Sequence, residues 1–283
     1  MSLADTVTNY LQNPFPLWEC EVTKALVQNK WNELKAIGIS DPNGYSTLQF
    51  IDGSSSLANK QPLYSKYKDN TIYLETPPLD SIAEFYDKHG LTPLSPDEIK
   101  TTNALVKLQR AMEIIELVPL AGQCISQLVR TIQVLKPSDP ETDVSYSNPN
   151  IPFTIFVSVC EEDSPISDLR VAESILHEAM HLKLTLIENS VPLIKPNSTA
   201  TYYSPWRDEE RPIRGVLHGL FVFRSVLDLY NALEECIFQS SVRGLIGTRV
   251  LTIENELNTL WDLPTCNGLT SNAVLVIKSL LRL

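Results

Sequence analysis

The sequence predicts an α+β fold, predominantly α-helical with a small β-sheet, built around two buried helices at its core. Three observations predict it. Residues 168–188 and 212–240 are long stretches with helical spacing and a high apolar content. Two short runs, Arg130–Leu135 and Phe153–Val159, are rich in β-branched and aromatic residues. Between these stretches, serine and proline stand where helices begin.

Residues 3–37 read as largely helical, with Val27, Trp31 and Leu34 on one stripe that Ile37 continues. Asp41-Pro-Asn-Gly44 is a turn signal. Residues 45–95 are mixed, with Gly-Ser-Ser-Ser at 53–56 and a candidate strand at Thr71–Leu74. Ser95-Pro-Asp-Glu98 has the form of a capping box with proline at the first helical position. It opens an amphipathic helix expected over 96–117, followed by a shorter helix over 121–129. The two β-like runs come next, separated by the turn-rich loop that starts at Lys136-Pro137. Ser167-Asp168 is expected to cap the helix of 168–188. A polar, proline-bearing loop over 190–211 then leads to Pro212 and the second buried helix. The last helix is expected at Asn272–Arg282. Residues 1–95 thus form an N-terminal helical and irregular region, and 96–283 the region that carries the chemistry below.

Bulk properties exclude several classes. With 23 basic and 34 acidic side chains the net charge is −11, which is wrong for a nucleic-acid partner. The start of the chain lacks a basic, apolar leader and no run is expected to span a membrane. Five scattered cysteines contain no Cys-x-x-Cys pair, so neither a disulfide framework nor a thiolate zinc site is indicated. A cytoplasmic location is expected.

The chemistry is concentrated at Leu176-His-Glu-Ala-Met-His181. Histidines at i and i+4 lie one turn apart on one helical face, so His177 and His181 can share a divalent ion. Glu178 is close enough to act on a metal-bound water or a substrate. Such a site needs a third protein ligand. The downstream glycine and histidine of one zinc-protease pattern are replaced by Leu184 and Ile187. The downstream glutamate of another is replaced by Thr201. His218 is the best remaining donor. It stands between Gly215 and Gly219, which are costly inside a helix and suggest close approach of another backbone or a bound molecule. His89, before Gly90, is expected at the surface. Arg207, Arg211 and Arg214 precede His218, the last two on its face of the helix. Arginine suits a carboxylate, although Asp208, Glu209 and Glu210 next door could pair with them. Three histidines suit iron(II) or zinc.

The blocks Ala172–His181, Tyr202-Tyr-Ser-Pro-Trp-Arg207 and Arg211-Pro-Ile-Arg-Gly-Val-Leu-His-Gly219 resemble the HExxH family of peptide-modifying enzymes that accompany ribosomally made, post-translationally modified peptides. The resemblance covers about residues 100–240. It implies an iron(II)- and 2-oxoglutarate-dependent dioxygenase that hydroxylates the β-carbon of a residue in a precursor peptide. By this likeness His177, His181 and His218 hold Fe(II). Glu178 becomes an active-site carboxylate. Arg211 and Arg214, with Arg207 beside them, become candidates for the 2-oxoglutarate carboxylate, and Tyr203 and Trp206 for the substrate channel. The alternative reading is a zinc metallopeptidase with Glu178 as general base.

Overall fold

The computed structural model describes residues 2–39, 45–51, 53, 58–67, 70–137, 139, 142–236 and 239–282. The turn signal at 41–44 and most of the serine run at 53–56 lie outside them. In chain order the elements are α1 (Leu3–Gln12), α2 (Cys20–Ala36), α3 (Leu48–Ile51), β1 (Asn59–Tyr64), β2 (Ile72–Thr76), α4 (Leu79–His89), α5 (Pro96–Thr101), α6 (Ala104–Ile115), α7 (Pro119–Leu128), β3 (Thr131–Leu135), β4 (Ser145–Tyr146), β5 (Thr154–Ser158), α8 (Pro165–Ser190), β6 (Thr201–Ser204), β7 (Glu209–Pro212), α9 (Ile213–Glu234), α10 (Ser240–Asn258) and α11 (Ser271–Leu281). Helix accounts for 57% and strand for 13%, so the fold is α+β with helix dominant.

Five strands form a mixed sheet in the order β1-β2-β3-β5-β4. β3 pairs in parallel with both β2 and β5, while β1 and β4 lie antiparallel at the two edges. Every residue of β3 and β5 is buried, as expected for strands covered on both faces. β2 pairs with β3 across the boundary at residue 95 (Tyr73 opposite Thr131), so the N-terminal region contributes to the same sheet as the rest.

Local chemistry explains where the elements differ from expectation. The helix expected over 96–117 is two. Ser95 and Glu98 form the capping box of α5, but Asn103 takes φ 53°, a left-handed conformation that asparagine tolerates and a helix interior does not. The redirected α6 then buries Leu108, Ala111, Met112 and Ile115. α8 starts earlier than expected. Its cap is Ser164, with Pro165 in the first turn and Ser167 returning the reciprocal bond, so Ser167 closes the box and does not open it. Ile37, expected on the buried stripe, is the C-cap of α2 and is 72% exposed. The segment 190–211 is not all loop, because β6 and β7 form a hairpin with Tyr202 opposite Arg211.

α8 runs through the centre, packed against α2, α6, α9 and β5. Its face away from the cleft carries Lys183, fully buried, whose Nζ donates to the carbonyls of Leu17 at 2.6 Å and Glu19 at 3.1 Å. Burial lowers the pKa of this ammonium, and the two carbonyls tie the N-terminal segment to α8. α9 is long and apolar enough to cross a membrane by length and composition, yet 72% of its apolar window is buried inside the protein. Its Val216, Leu217, Leu220 and Phe221 are fully buried. Together α8 and α9 are the two buried helices that the sequence predicts.

Candidate metal centre

α8 and α9 meet along the face that carries the motif. His177 and His181 come from α8 and His218 from the second turn of α9. His181 Nε2 lies 3.2 Å from His177 Nε2, and His181 Nδ1 lies 3.1 Å from His218 Nδ1. The His181 and His218 rings are stacked, with centroids 5.4 Å apart. Both separations match two donors to a single ion, since bonds of roughly 2.1 Å near a right angle put the nitrogens about 3 Å apart. The central ring uses a different nitrogen toward each neighbour. Among the described residues no three donors meet at one point. Imidazole nitrogens are donors that iron(II) and zinc accept, and the two pairs do not share a focus, because His181 turns a different nitrogen to each neighbour.

All seven residues expected at the site line one cleft of about 700 Å³: His177, Glu178, His181, Arg207, Arg211, Arg214 and His218. The hairpin β6–β7 forms one wall. Its four-residue turn, Pro205 to Asp208, is closed by Asp208 in the left-handed region at φ 52°, and it brings Trp206 and Arg207 to the cleft. Tyr203 points elsewhere, donating to Asp208 at 2.7 Å, and is not part of the lining. β4 forms the opposite wall.

Two features depart from the sequence reading. Gly219 does allow close approach, but what approaches is the indole of Trp206: a Cβ at 219 would stand 2.6 Å from Trp206 Cε3 and closer still to Cζ3. Trp206 stacks on Phe223 (4.8 Å between centroids, 15° between planes), and Phe223 meets His177 edge-on at 5.2 Å. Gly215 has no such neighbour and simply lines the cleft. His89 is half-buried at the end of α4, against Phe85 and Tyr146, with Nδ1 3.0 Å from the Tyr146 hydroxyl. It belongs to an aromatic cluster beside β4 and is only partly at the surface.

The carboxylates are arranged in a way the motif alone does not reveal. Glu178 is buried, and each of its oxygens accepts a serine hydroxyl at 2.6 Å: Ser145 on Oε1 and Ser147 on Oε2. Its Oε1 is 3.9 Å from His177 Nε2. Glu188, on the same face of α8 beyond His181, accepts from Arg214 Nε at 2.9 Å and Nη2 at 2.6 Å, and lies 3.0 Å from His218 Nε2. Burial would raise its pKa, but the hydrogen bonds and charges of His218 and Arg214 outweigh that and lower it. Arg214 is therefore paired, with Glu188 and not with the acidic run beside it. Arg211 approaches Glu209 only at 3.8 Å. Arg207 meets no carboxylate among the described residues.

Burial keeps two of the rings neutral. It pushes His177 down to about 4, with His181 adding to the effect and Glu178 opposing it. Burial likewise pushes His181 down to about 3, helped by His218 and Arg214. Neutral imidazole is the form that binds a metal. The sign for stability follows. Above pH 6.5 these histidines are neutral folded and unfolded. As pH falls the unfolded chain takes up protons first, so metal-free protein loses stability from pH 6.5 downward through 4 to 3. By pH 4.5, two units below the unfolded value, the loss is on the order of 3 kcal/mol per histidine. Urea midpoints at pH 7.5 and pH 4.5 measure it, and replacing His177 and His181 with alanine should remove most of the difference.

No family model and no curated protein matches this chain. The functional reading therefore stands on the site.

Proposed function

We propose that the cleft is the active site of an iron(II)- and 2-oxoglutarate-dependent oxygenase that hydroxylates a β-carbon of a ribosomally made precursor peptide. The observation that carries the reading is the meeting of three imidazoles with Arg207 and Arg211 in one cleft of a chain whose net charge is −11. Basic side chains held together in an acidic protein suit an anionic co-substrate. His177, His181 and His218 would hold the ion. When bound, iron(II) supplies the chemistry that consumes O₂ and 2-oxoglutarate, releases CO₂ and succinate, and converts a C–H of the peptide to C–OH.

The chain's own residues have definable parts. Arg207 and Arg211 have the capacity to receive the distal carboxylate, since Arg214 is held by Glu188. The wall of Trp206 and Phe223 keeps water from the His177 side. Glu178, with both oxygens taken by serines of the β4 segment, fixes the strand wall to α8. Five free cysteines, three of them buried, fit a reducing cytoplasm.

Anaerobically purified protein given Fe(II), O₂, 2-oxoglutarate and the precursor peptide should form succinate and a peptide 16 Da heavier, as one oxygen atom requires. Arg207→Ala and Arg211→Ala should each raise KM for 2-oxoglutarate about 10- to 100-fold, the worth of a charge-assisted hydrogen bond of roughly 1.5–3 kcal/mol. Absence of succinate with the peptide present would refute the proposal. One observation favours zinc-dependent peptidase chemistry instead: Glu178 lines the cleft beside His177, where a general base would stand. Peptide cleavage that needs zinc and is abolished by Glu178→Gln would establish that reading.

A further inference from the structure

Glu188 has no part in the motif, yet it closes a continuous line of polar contacts through the site. The line runs from Glu188 Oε2 to His218 Nε2 (3.0 Å), from His218 Nδ1 to His181 Nδ1 (3.1 Å), and from His181 Nε2 to His177 Nε2 (3.2 Å). His177, His181 and Glu188 lie at i, i+4 and i+11 on α8, on one face over three turns. The Glu188 and His218 side chains are 12% and 10% exposed, so water competes little for these contacts.

We propose that Glu188 is a positioning residue that sets a one-way hydrogen-bond chain through His218, His181 and His177. A carboxylate paired with arginine only accepts, so the proton between Glu188 and His218 sits on His218 Nε2. With one N–H on each ring, the lone pair of His218 is left on Nδ1. The facing nitrogen, His181 Nδ1, must then be the donor, and His181 Nε2 carries a lone pair. His177 Nε2 donates to it. The three ring protons thus follow from one carboxylate. Arg214, donating twice to the same oxygen, holds that carboxylate in place.

Two consequences follow. His218 Nδ1 is left as the donor nitrogen of its ring, because a carboxylate on the far nitrogen of a histidine fixes the tautomer and raises the basicity of the near one, and His181 keeps its lone pair on Nε2. The proton of His177 has to move from Nε2 to Nδ1 before Nε2 joins them. These consequences rest on the proposed three-histidine centre, whereas the tautomers do not.

The test uses the full chain. In metal-free wild type, long-range ¹⁵N–¹H NMR of the histidine rings should show protons on Nε2 of His218, Nδ1 of His181 and Nε2 of His177. Glu188→Ala should abolish the preference at His218 and lower the affinity for Co(II), followed by its visible absorption, about 10- to 100-fold. Glu188→Gln keeps an acceptor, so it should retain the His218 tautomer and lose less affinity. Glu188→Ala added to His218→Ala should cost nothing further, because Glu188 acts through that ring. His218 protonated on Nδ1 or on both nitrogens in wild type would overturn the proposal, as would wild-type tautomers and Co(II) affinity in both Glu188 variants. Should wild type take up no Co(II), the metal-centre reading falls, and the NMR still decides the chain.

Discussion

Replacing His181 with alanine is expected to take bound divalent metal from stoichiometric to none and to abolish succinate formation. His181 is the ring that touches both others, through Nε2 to His177 and through Nδ1 to His218. Without it the two remaining imidazoles share no contact, and two isolated nitrogens do not compete with water for iron(II). His177→Ala or His218→Ala removes an end of the cluster, whereas His181→Ala divides it. Metal analysis after anaerobic loading reads the stoichiometry directly. Thermal unfolding gives an independent reading: a ligand at a thousandfold its Kd stabilises by ~4 kcal/mol, so Fe(II) or Co(II) should raise the wild-type midpoint by several degrees and leave the variant unmoved. The metal-free variant should also be less sensitive to acid than wild type, since a ring held down at about 3 by burial has been removed. A variant that still binds metal in equal measure and is shifted like wild type would show that the cluster is structural.

The parts of the site that were legible in the sequence are those whose geometry is local. His177 and His181 follow from an i, i+4 spacing on a long apolar helix, and any fold that keeps the helix keeps the pair. His218 was legible through its glycine neighbours and the arginines before it, because Pro212 fixes where α9 begins. Glu188 had the same kind of signal, seven residues after His181 and on its face, but a glutamate near a helix end is ordinarily a solvated residue. Ser145 and Ser147 left no signal: they lie more than thirty residues from Glu178 in sequence, and a two-residue edge strand is too short to show alternation. The hairpin β6–β7 was hidden for a related reason. Its second strand, Glu209–Pro212, is polar and exposed, and its pairing depends on the turn at Asp208. The break at Asn103 rests on the left-handed φ of 53° at that residue, which asparagine tolerates, but an asparagine within a helical stretch does not by itself announce it.

Gly219→Ala is expected to destabilise the protein by up to about 2 kcal/mol and to disorder the cleft, although alanine is the better helix former. Helix propensity alone would favour the substitution by roughly 1 kcal/mol. Against that stands a Cβ 2.6 Å from Trp206 Cε3, and overpacking of this kind costs about 1–3 kcal/mol. The indole is braced on one face. Phe223 lies flat against it, and Phe223 in turn bears on the His177 ring. The strain therefore passes along an aromatic wall to His177, a proposed metal ligand, and metal affinity should fall together with stability. A double-mutant cycle separates this from a simple change in α9. With Trp206→Ala already in place, the space for the methyl is open and Gly219→Ala should become neutral or stabilising, as propensity dictates. Gly215→Ala is the internal control: it sits one turn earlier in the same helix and meets only Arg211 Nε at 3.9 Å, so the same methyl should be tolerated there. Equal effects at 215 and 219, measured by urea denaturation, would mean that Trp206 is not what the glycine at 219 accommodates.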